Sequence, residues 1–306
     1  MIDPWLTLAG LFAGTVVGMT GLGGAAIITP MLLLLFNVPA PIAVSTDLVS
    51  AAIMKPIGAG VHIKRRTPYW NVVGWLTAGS VPGVLIGTWW FSHLADAEDG
   101  SAMLKKIIGV VLLIAVAVTL ARLWLGRYQT QHADAPMEFT RGKLIIACVV
   151  GLVVGILVGL TSVGSGTLIA ATLIILFPFM LPSRLVGTDL VQAVPMLVVG
   201  ALAHMSLGEV DWTIVLSLLL GQVPGVFIGA RVSSRYNGQE LRWLLLVLVG
   251  AGGLSLLGIP KEVGVAIVVV GVLALGVPIL VKAFRTRHDH HKPAADESPP
   301  VVSDPD

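Results

Sequence analysis

Apolar positions in this chain come in long blocks separated by short polar stretches. The blocks at 42–61, 71–91, 104–121, 187–204, 213–230, 241–258 and 264–282 are each close to the roughly 20 residues that carry a helix across a bilayer. Two further blocks, 5–36 and 144–181, are apolar throughout but interrupted near their middles by TGLGG and TSVGSG. At about 1.5 Å per residue either block is too long for one straight crossing. Each predicts two short helices joined at a glycine turn, a broken helical hairpin.

The blocks repeat. Around Gly18 the chain reads GMTGLGGAAI, then STDLVSAAIM, GAGVH and VPGVLIG; around Gly159 it reads GLTSVGSGTL, then GTDLVQAVPM, GALAH and VPGVFIG. From Thr46 to Thr188, His62 to His204 and Pro82 to Pro224 the offset is 142 each time. A register held over that distance is an internal duplication. The predicted fold class is an all-α polytopic membrane protein of two repeats. Each repeat opens with a glycine-broken hairpin followed by three transmembrane helices, and one unpaired helix follows at the C-terminus. The expected divisions are repeat 1 at 1–125, a cytoplasmic linker at 126–143, repeat 2 at 144–260, a final helix at 261–284 and a disordered tail at 285–306.

Composition narrows the class. Mean hydropathy is +0.91, 56% of residues are hydrophobic and 12% are charged, about half the charged share of a soluble domain. No charge occurs between Asp3 and Asp47 or between Lys143 and Arg184. The single Cys148, inside an apolar run, excludes an internal disulfide and reads as a small buried hydrophobe. The N-terminus lacks the basic residues of a cleaved signal peptide.

Loop charge sets direction. Lys64, Arg65 and Arg66, then Arg122, Arg127, Arg141 and Lys143, then Arg231, Arg235 and Arg242, and the tail's Lys282, Arg285 and Arg287 mark cytoplasmic segments, so the C-terminus is expected inside. Asp96, Glu98 and Asp99, and Glu209 with Asp211, mark outer loops, although Lys105 and Lys106 count mildly against the first. The loop after His62 is basic and its copy after His204 is acidic. Equivalent loops on opposite faces predict inverted repeats with a site between them. Trp5, Trp70, Trp89, Trp90, Trp124, Trp212 and Trp243 fall near block ends, as interfacial anchors do.

The candidate substrate-binding residues are the glycine breaks: Thr20, Gly21, Gly23 and Gly24 in one copy, Thr161, Ser162, Gly164, Ser165 and Gly166 in the other. Irregular backbone at membrane depth is tolerated only where protein or water covers it. A helix restarting after the break offers free N–H groups and a positive dipole end, which suit an anion. The competing reading is that the glycines only let helices pack closely. Lys55, eight residues after Asp47 on nearly the same helix face, is the basic residue well inside an apolar run; it either contacts an anion or snorkels to the cytoplasmic interface. Ser45, Thr46 and Asp47, matched by Gly187, Thr188 and Asp189 with Gln192 beyond, are candidates for coupling or gating. Their acids would take up protons or hold a cation, and their competing role is helix N-capping. Pro56 and Pro195 are expected to kink their spans. His62 and His204 are expected to act as interfacial hydrogen-bonding groups, and His288, His290 and His291 as solvated tail charge rather than a metal tract.

With these residues in hand, the chain resembles the TauE/SafE family of sulfite exporters and toluene sulfonate uptake permeases over roughly residues 8–258. The resemblance rests on the G-x-G-G break, the T-D-L span ending in His, a charged loop and the P-G-x-x-I-G span, in that order and duplicated. It implies a bacterial inner-membrane permease for a small sulfur-containing or organic anion such as sulfite or a sulfonate. Asp47 and Asp189 stand where the family often has a G-T-S-like stretch. Ionised, they would repel an anion; protonated, they would make a proton-coupled variant working by alternating access. No catalytic residue, cofactor, metal or nucleic-acid partner is expected; the partners are the anion and the bilayer, with homo-oligomerisation left open. The other classes are a Na⁺ carrier or channel using the same acids, and an intramembrane aspartyl protease using Asp47 and Asp189 as a pair, against which stands the absence of a G-x-G-D sequence.

Overall fold

The computed structural model describes residues 2–20, 24–129, 139–233 and 239–260, together with 263, 264, 266 and 270. Among them it contains ten helices: α1 (Pro4–Thr20), α2 (Ala25–Leu34), α3 (Ala40–Lys64), α4 (Trp70–Ala95), α5 (Gly100–Gln129), α6 (Arg141–Thr161), α7 (Thr167–Leu176), α8 (Pro182–Ser206), α9 (Trp212–Ser233) and α10 (Gln239–Leu256). Described residues form no strand. Six helices, α3, α4, α5, α6, α8 and α9, are long and apolar enough to cross a membrane. Apart from residues 263, 264, 266 and 270, the expected final helix at 261–284 lies outside the described residues, as do the tail and the middle of the linker. Trp5, Trp70, Trp89, Trp90 and Trp212 are exposed at helix ends.

Both glycine breaks are present, between α1 and α2 and between α6 and α7. One expectation changes. The first arm of the second break, α6, is 21 residues long rather than a short half-helix, and only α7, at 10 residues, is short. The eight leading residues RGKLIIAC extend the apolar run to the basic interface, and nothing in that stretch breaks a helix. Ser162 ends α6 in the left-handed region (φ 61°) and Gly164 follows at φ 111°, which turns the chain before α7 begins.

Packing follows a pattern of small residues. Glycines recur every fourth residue on four helices: Gly10, Gly14 and Gly18 on α1, Gly79, Gly83 and Gly87 on α4, Gly151, Gly155 and Gly159 on α6, and Gly221, Gly225 and Gly229 on α9. The spacing puts each set on one helix face, and without side chains two such faces bring backbones into contact. α1 packs on α9 and α4 on α6 in this way. A Cβ at Gly155 would collide with the Ser80 carbonyl, and one at Gly225 would lie 2.5 Å from the Leu11 carbonyl. Gly10 meets Leu218, Gly14 meets Gln222 and Gly229 meets Thr15, so α1 and α9 run parallel; Gly79 meets Cys148 and Gly87 meets Ile156, so α4 and α6 do too. Each interface joins one repeat to the other.

The equivalent helices α3 and α8 pack against each other at the centre. Gly200 lies against Leu48 and Gly58 against Leu190, so they run antiparallel. One end of the bundle collects Lys64, Arg65, Arg66 and the Arg184 guanidinium stacked over Tyr69 (4.8 Å to the ring centroid). The other collects the acidic loops. There the Asp211 N–H donates to Thr46 Oγ1 and the Asp3 N–H to Ser217 Oγ.

Candidate functional site

A cavity of about 370 Å³ lies between α1, α2, α3, α8 and α9 and the break before α7. Its polar lining is Asp47, Lys55, His62, Ser165, Asp189 and Gln222; the rest is largely aliphatic, with Met54, Leu190 and Phe227. Along α3 the lining extends from Asp47 to His62, about 22 Å at helical rise, and reaches the basic end of the bundle.

Lys55 Nζ donates to Ser165 Oγ at 2.8 Å. The lysine is therefore held inside the bundle by a residue 110 positions away, and does not snorkel toward Lys64. Its neighbouring charges are Asp189 and Asp47. Gly24 and Ala25 at the start of α2, and Ser165 and Gly166 at the start of α7, line the same cavity. The first N–H groups of a helix have no intrahelical acceptor, so two positive helix ends and a lysine converge on this space.

The acids sit at different depths. Asp47 is fully buried, and Thr29 Oγ1 donates to its Oδ2 at 2.6 Å. Asp189, 6% exposed, adjoins Leu190, which packs on Gly58. Gly58 is eleven residues along α3 from Asp47, so the acids are about 16 Å apart along the bundle axis, with Lys55 between them. A catalytic aspartyl pair needs carboxyls about 3 Å apart, and these helices do not supply one.

The N-capping alternative is also overturned. α3 begins at Ala40 after Pro39, and α8 at Pro182 after Leu181. The S-T-D and G-T-D triplets therefore lie more than a turn inside their helices. Proline at the N-terminus of a helix needs no N–H acceptor, so these helices start earlier than hydropathy suggests. Thr46 and Thr188 instead hold the other repeat: Thr46 Oγ1 accepts from the Asp211 N–H and Thr188 Oγ1 from the Tyr69 N–H, both at 3.1 Å. Tyr69 plus 142 is 211, so the two bonds are copies of one contact. Thr188→Val keeps the shape and leaves the Tyr69 N–H without this acceptor. We expect a loss of about 1 kcal/mol, read as a lowered Tm of purified protein; an unchanged Tm would show the bond to be dispensable.

Other predicted residues fall elsewhere. Thr161 Oγ1 donates to the Leu157 carbonyl at 2.7 Å and accepts from the Val163 N–H, so it shapes the break. Ser162 is buried beside Asp47. Ser45 Oγ pairs with His204 Nδ1 at 2.8 Å, and His204 Nε2 donates to the Gly159 carbonyl at 2.9 Å. His204 is thus an interior bridge whose ring lies tilted against Phe91 (4.5 Å between centroids), not an interfacial group. Its counterpart His62 pairs with Thr67 at the basic end, and Gly187 stands where repeat 1 has Ser45. Gln192 is buried and its Oε1 accepts from Ser80 at 3.5 Å. Gly21, Gly23 and the Thr20 side chain lie outside the described residues.

Thr29 and Gln222 were not foreseen. Gln222 had a legible signal, since it is a polar residue in the apolar VLSLLLGQVPGV stretch; its Oε1 accepts from Ser50 at 3.2 Å. Thr29 had none, because a lone threonine in an apolar helix usually bonds its own backbone.

Comparison with known proteins agrees with this architecture. The family model for the sulfite exporter TauE/SafE matches residues 6–256. The chain belongs to the TauE/SafE family. A relative named probable membrane transporter protein YjnA, from Bacillus subtilis (strain 168), is 36% identical over 256 residues, covering 82% of this chain and 98% of the relative. Probable membrane transporter protein YdhB of the same organism is 24% identical over 245 residues, covering 80% and 96%. Probable membrane transporter protein MJ0441 of Methanocaldococcus jannaschii is 24% identical over 272 residues, covering 84% and 96%. No solved structure matches significantly. The chain is a multi-pass membrane transporter of the TauE/SafE family.

Proposed function

We propose that this transporter is a secondary permease for a small anion, sulfite or a short sulfonate or carboxylate, in the bacterial inner membrane with its C-terminus in the cytoplasm. The observation that carries this reading is the convergence of Lys55, held on Ser165 at 2.8 Å, with the starts of α2 and α7 on one cavity. At about 30 Å³ per water, 370 Å³ holds roughly a dozen waters, enough for a small organic anion with part of its hydration. The repeats are inverted, and the antiparallel course of α3 and α8 supports this. Rocking of one repeat against the other exposes the anion alternately. The cavity lining extends to His62 near the basic end, which on this reading faces the cytoplasm.

Asp189 tunes the site. Ionised near Lys55, it competes with the anion; protonated, it frees the lysine. Anion flux is therefore expected to rise as pH falls, and Asp189→Asn should abolish that dependence. The test is uptake of labelled sulfite into proteoliposomes, with and without a pH gradient, competed by a panel of sulfonates and carboxylates. Saturable flux supports the reading. Na⁺ movement with no anion requirement would make the protein a cation carrier instead.

A further inference from the structure

The second break has two electrically opposite ends. α7 starts there, presenting N–H groups near Ser165 and Lys55; α6 ends there, at Thr161, with its carbonyls and negative dipole end. Asp47 is placed at this negative end, beside Ser162. Its Oδ2 receives the Thr29 hydroxyl, while Oδ1 has no hydrogen-bond partner among the described residues, and neither has Ser162 Oγ. Both residues are almost wholly buried, Asp47 at 0% and Ser162 at 1% exposure. Asp47 Oδ1 and Ser162 Oγ thus adjoin each other in the interior, and neither has a further partner among the described residues.

A buried carboxylate at a helix C-terminus is disfavoured twice, by lost hydration and by the dipole, unless a positive charge joins it. Lys55 is the nearby fixed charge, but it is bonded to Ser165 and shared with Asp189. We propose that Asp47, Ser162 and Thr29 hold a dehydrated Na⁺ ion at the end of α6, and that this ion is the co-ion of the anion held at Lys55. The ligands are hard oxygens, and one carboxylate matches a single positive charge; a divalent ion takes six or more oxygens or keeps its waters. Asp47 lines the cavity, so the ion and the anion share one route. Ser162 and Ser165 belong to the same short link between α6 and α7. A cation bound to the first therefore sets the geometry of the second, and each ligand strengthens the other reciprocally. The co-ion role rests on the anion reading above; the site itself does not.

Two measurements separate these claims. Purified protein is first melted in NaCl, KCl and choline chloride at equal ionic strength. Na⁺ should raise Tm by about 3 °C or more at saturation. The half-saturating Na⁺ concentration should rise at least about tenfold in Asp47→Asn and severalfold in Ser162→Gly. Glycine removes the hydroxyl while accepting the left-handed backbone at this position. Labelled sulfite uptake is then measured with and without a Na⁺ gradient. Na⁺ stabilisation lost in both variants, together with Na⁺-driven uptake, supports the whole proposal. Stabilisation lost in both variants with no anion flux would keep the site but overturn its role as co-ion. A Tm shift that survives Asp47→Asn, or no Na⁺ effect on Tm while a proton gradient drives sulfite uptake, would overturn the site and leave the anion reading standing.

Discussion

Lys55→Met should abolish concentrative anion uptake while leaving the protein folded. Methionine keeps the unbranched stem that packs along α3 and removes the ammonium that bonds Ser165. A hydrogen bond to a charged group contributes about 1.5–3 kcal/mol, which corresponds to roughly 10–100-fold in anion affinity. Stability should fall as well, by up to about 3–5 kcal/mol, because deleting one partner of a buried charge cluster leaves Asp189 and Asp47 without their nearby positive charge. The diagnostic pattern is therefore folded, monodisperse protein of lowered Tm with half-saturation for sulfite shifted upward by at least about tenfold. Lys55→Arg should recover part of the affinity, since the charge remains but the planar fork does not fit a position built around a point charge. Wild-type affinity in Lys55→Met would place the anion elsewhere.

The second large effect concerns the glycine faces. Gly155→Leu should prevent assembly of the bundle, because even a Cβ at this position would overlap the Ser80 carbonyl and lie 2.9 Å from the Val84 nitrogen. Both atoms are backbone on α4, so relief requires the two helices to separate along the whole α4–α6 interface. Ordinary overpacking costs about 1–3 kcal/mol, and here the upper end is the minimum, roughly a 6–12 °C fall in Tm or outright loss of monodisperse protein. Gly83→Val should behave similarly, since its Cβ would strike the Leu152 carbonyl. The control is Gly74→Ala on the same helix, where a Cβ meets nothing within 4 Å. It should leave Tm unchanged or raise it, since alanine favours helix by about 1 kcal/mol over glycine. Equal tolerance at Gly74 and Gly155 would remove backbone contact as the reason for the glycine spacing.

The two predictions probe features that differed in how readable they were. The G-x-x-x-G runs are plain in the chain, and a helix spacing of four makes them one face. What they pack against is not plain, because α1 could have paired with α6 or α4 as readily as with α9. Similarly, the duplication placed Thr46 opposite Thr188 as equivalents, but not their bonds to the Asp211 and Tyr69 amides, which form across the repeats. Hydropathy also drew helix starts too late at Ala40 and Pro182, since it ignores proline's fitness for a first turn.

The sequence by itself determined the class: a polytopic helical membrane protein, duplicated at an offset of 142, with two glycine breaks and a few ionisable groups at membrane depth. Those conclusions follow from local rules, because a bilayer admits only long apolar helices and penalises every buried charge. Only the tertiary structure decided which of those groups meet. Lys55 on Ser165, Asp47 on Thr29 and His204 on Gly159 depend on how α3 and α8 pack on the second break, α2 and α6, and the offset of about 16 Å between the acids depends on the antiparallel register of α3 against α8. That register is set by side-chain and backbone fit between segments more than 100 residues apart, which no local pattern encodes.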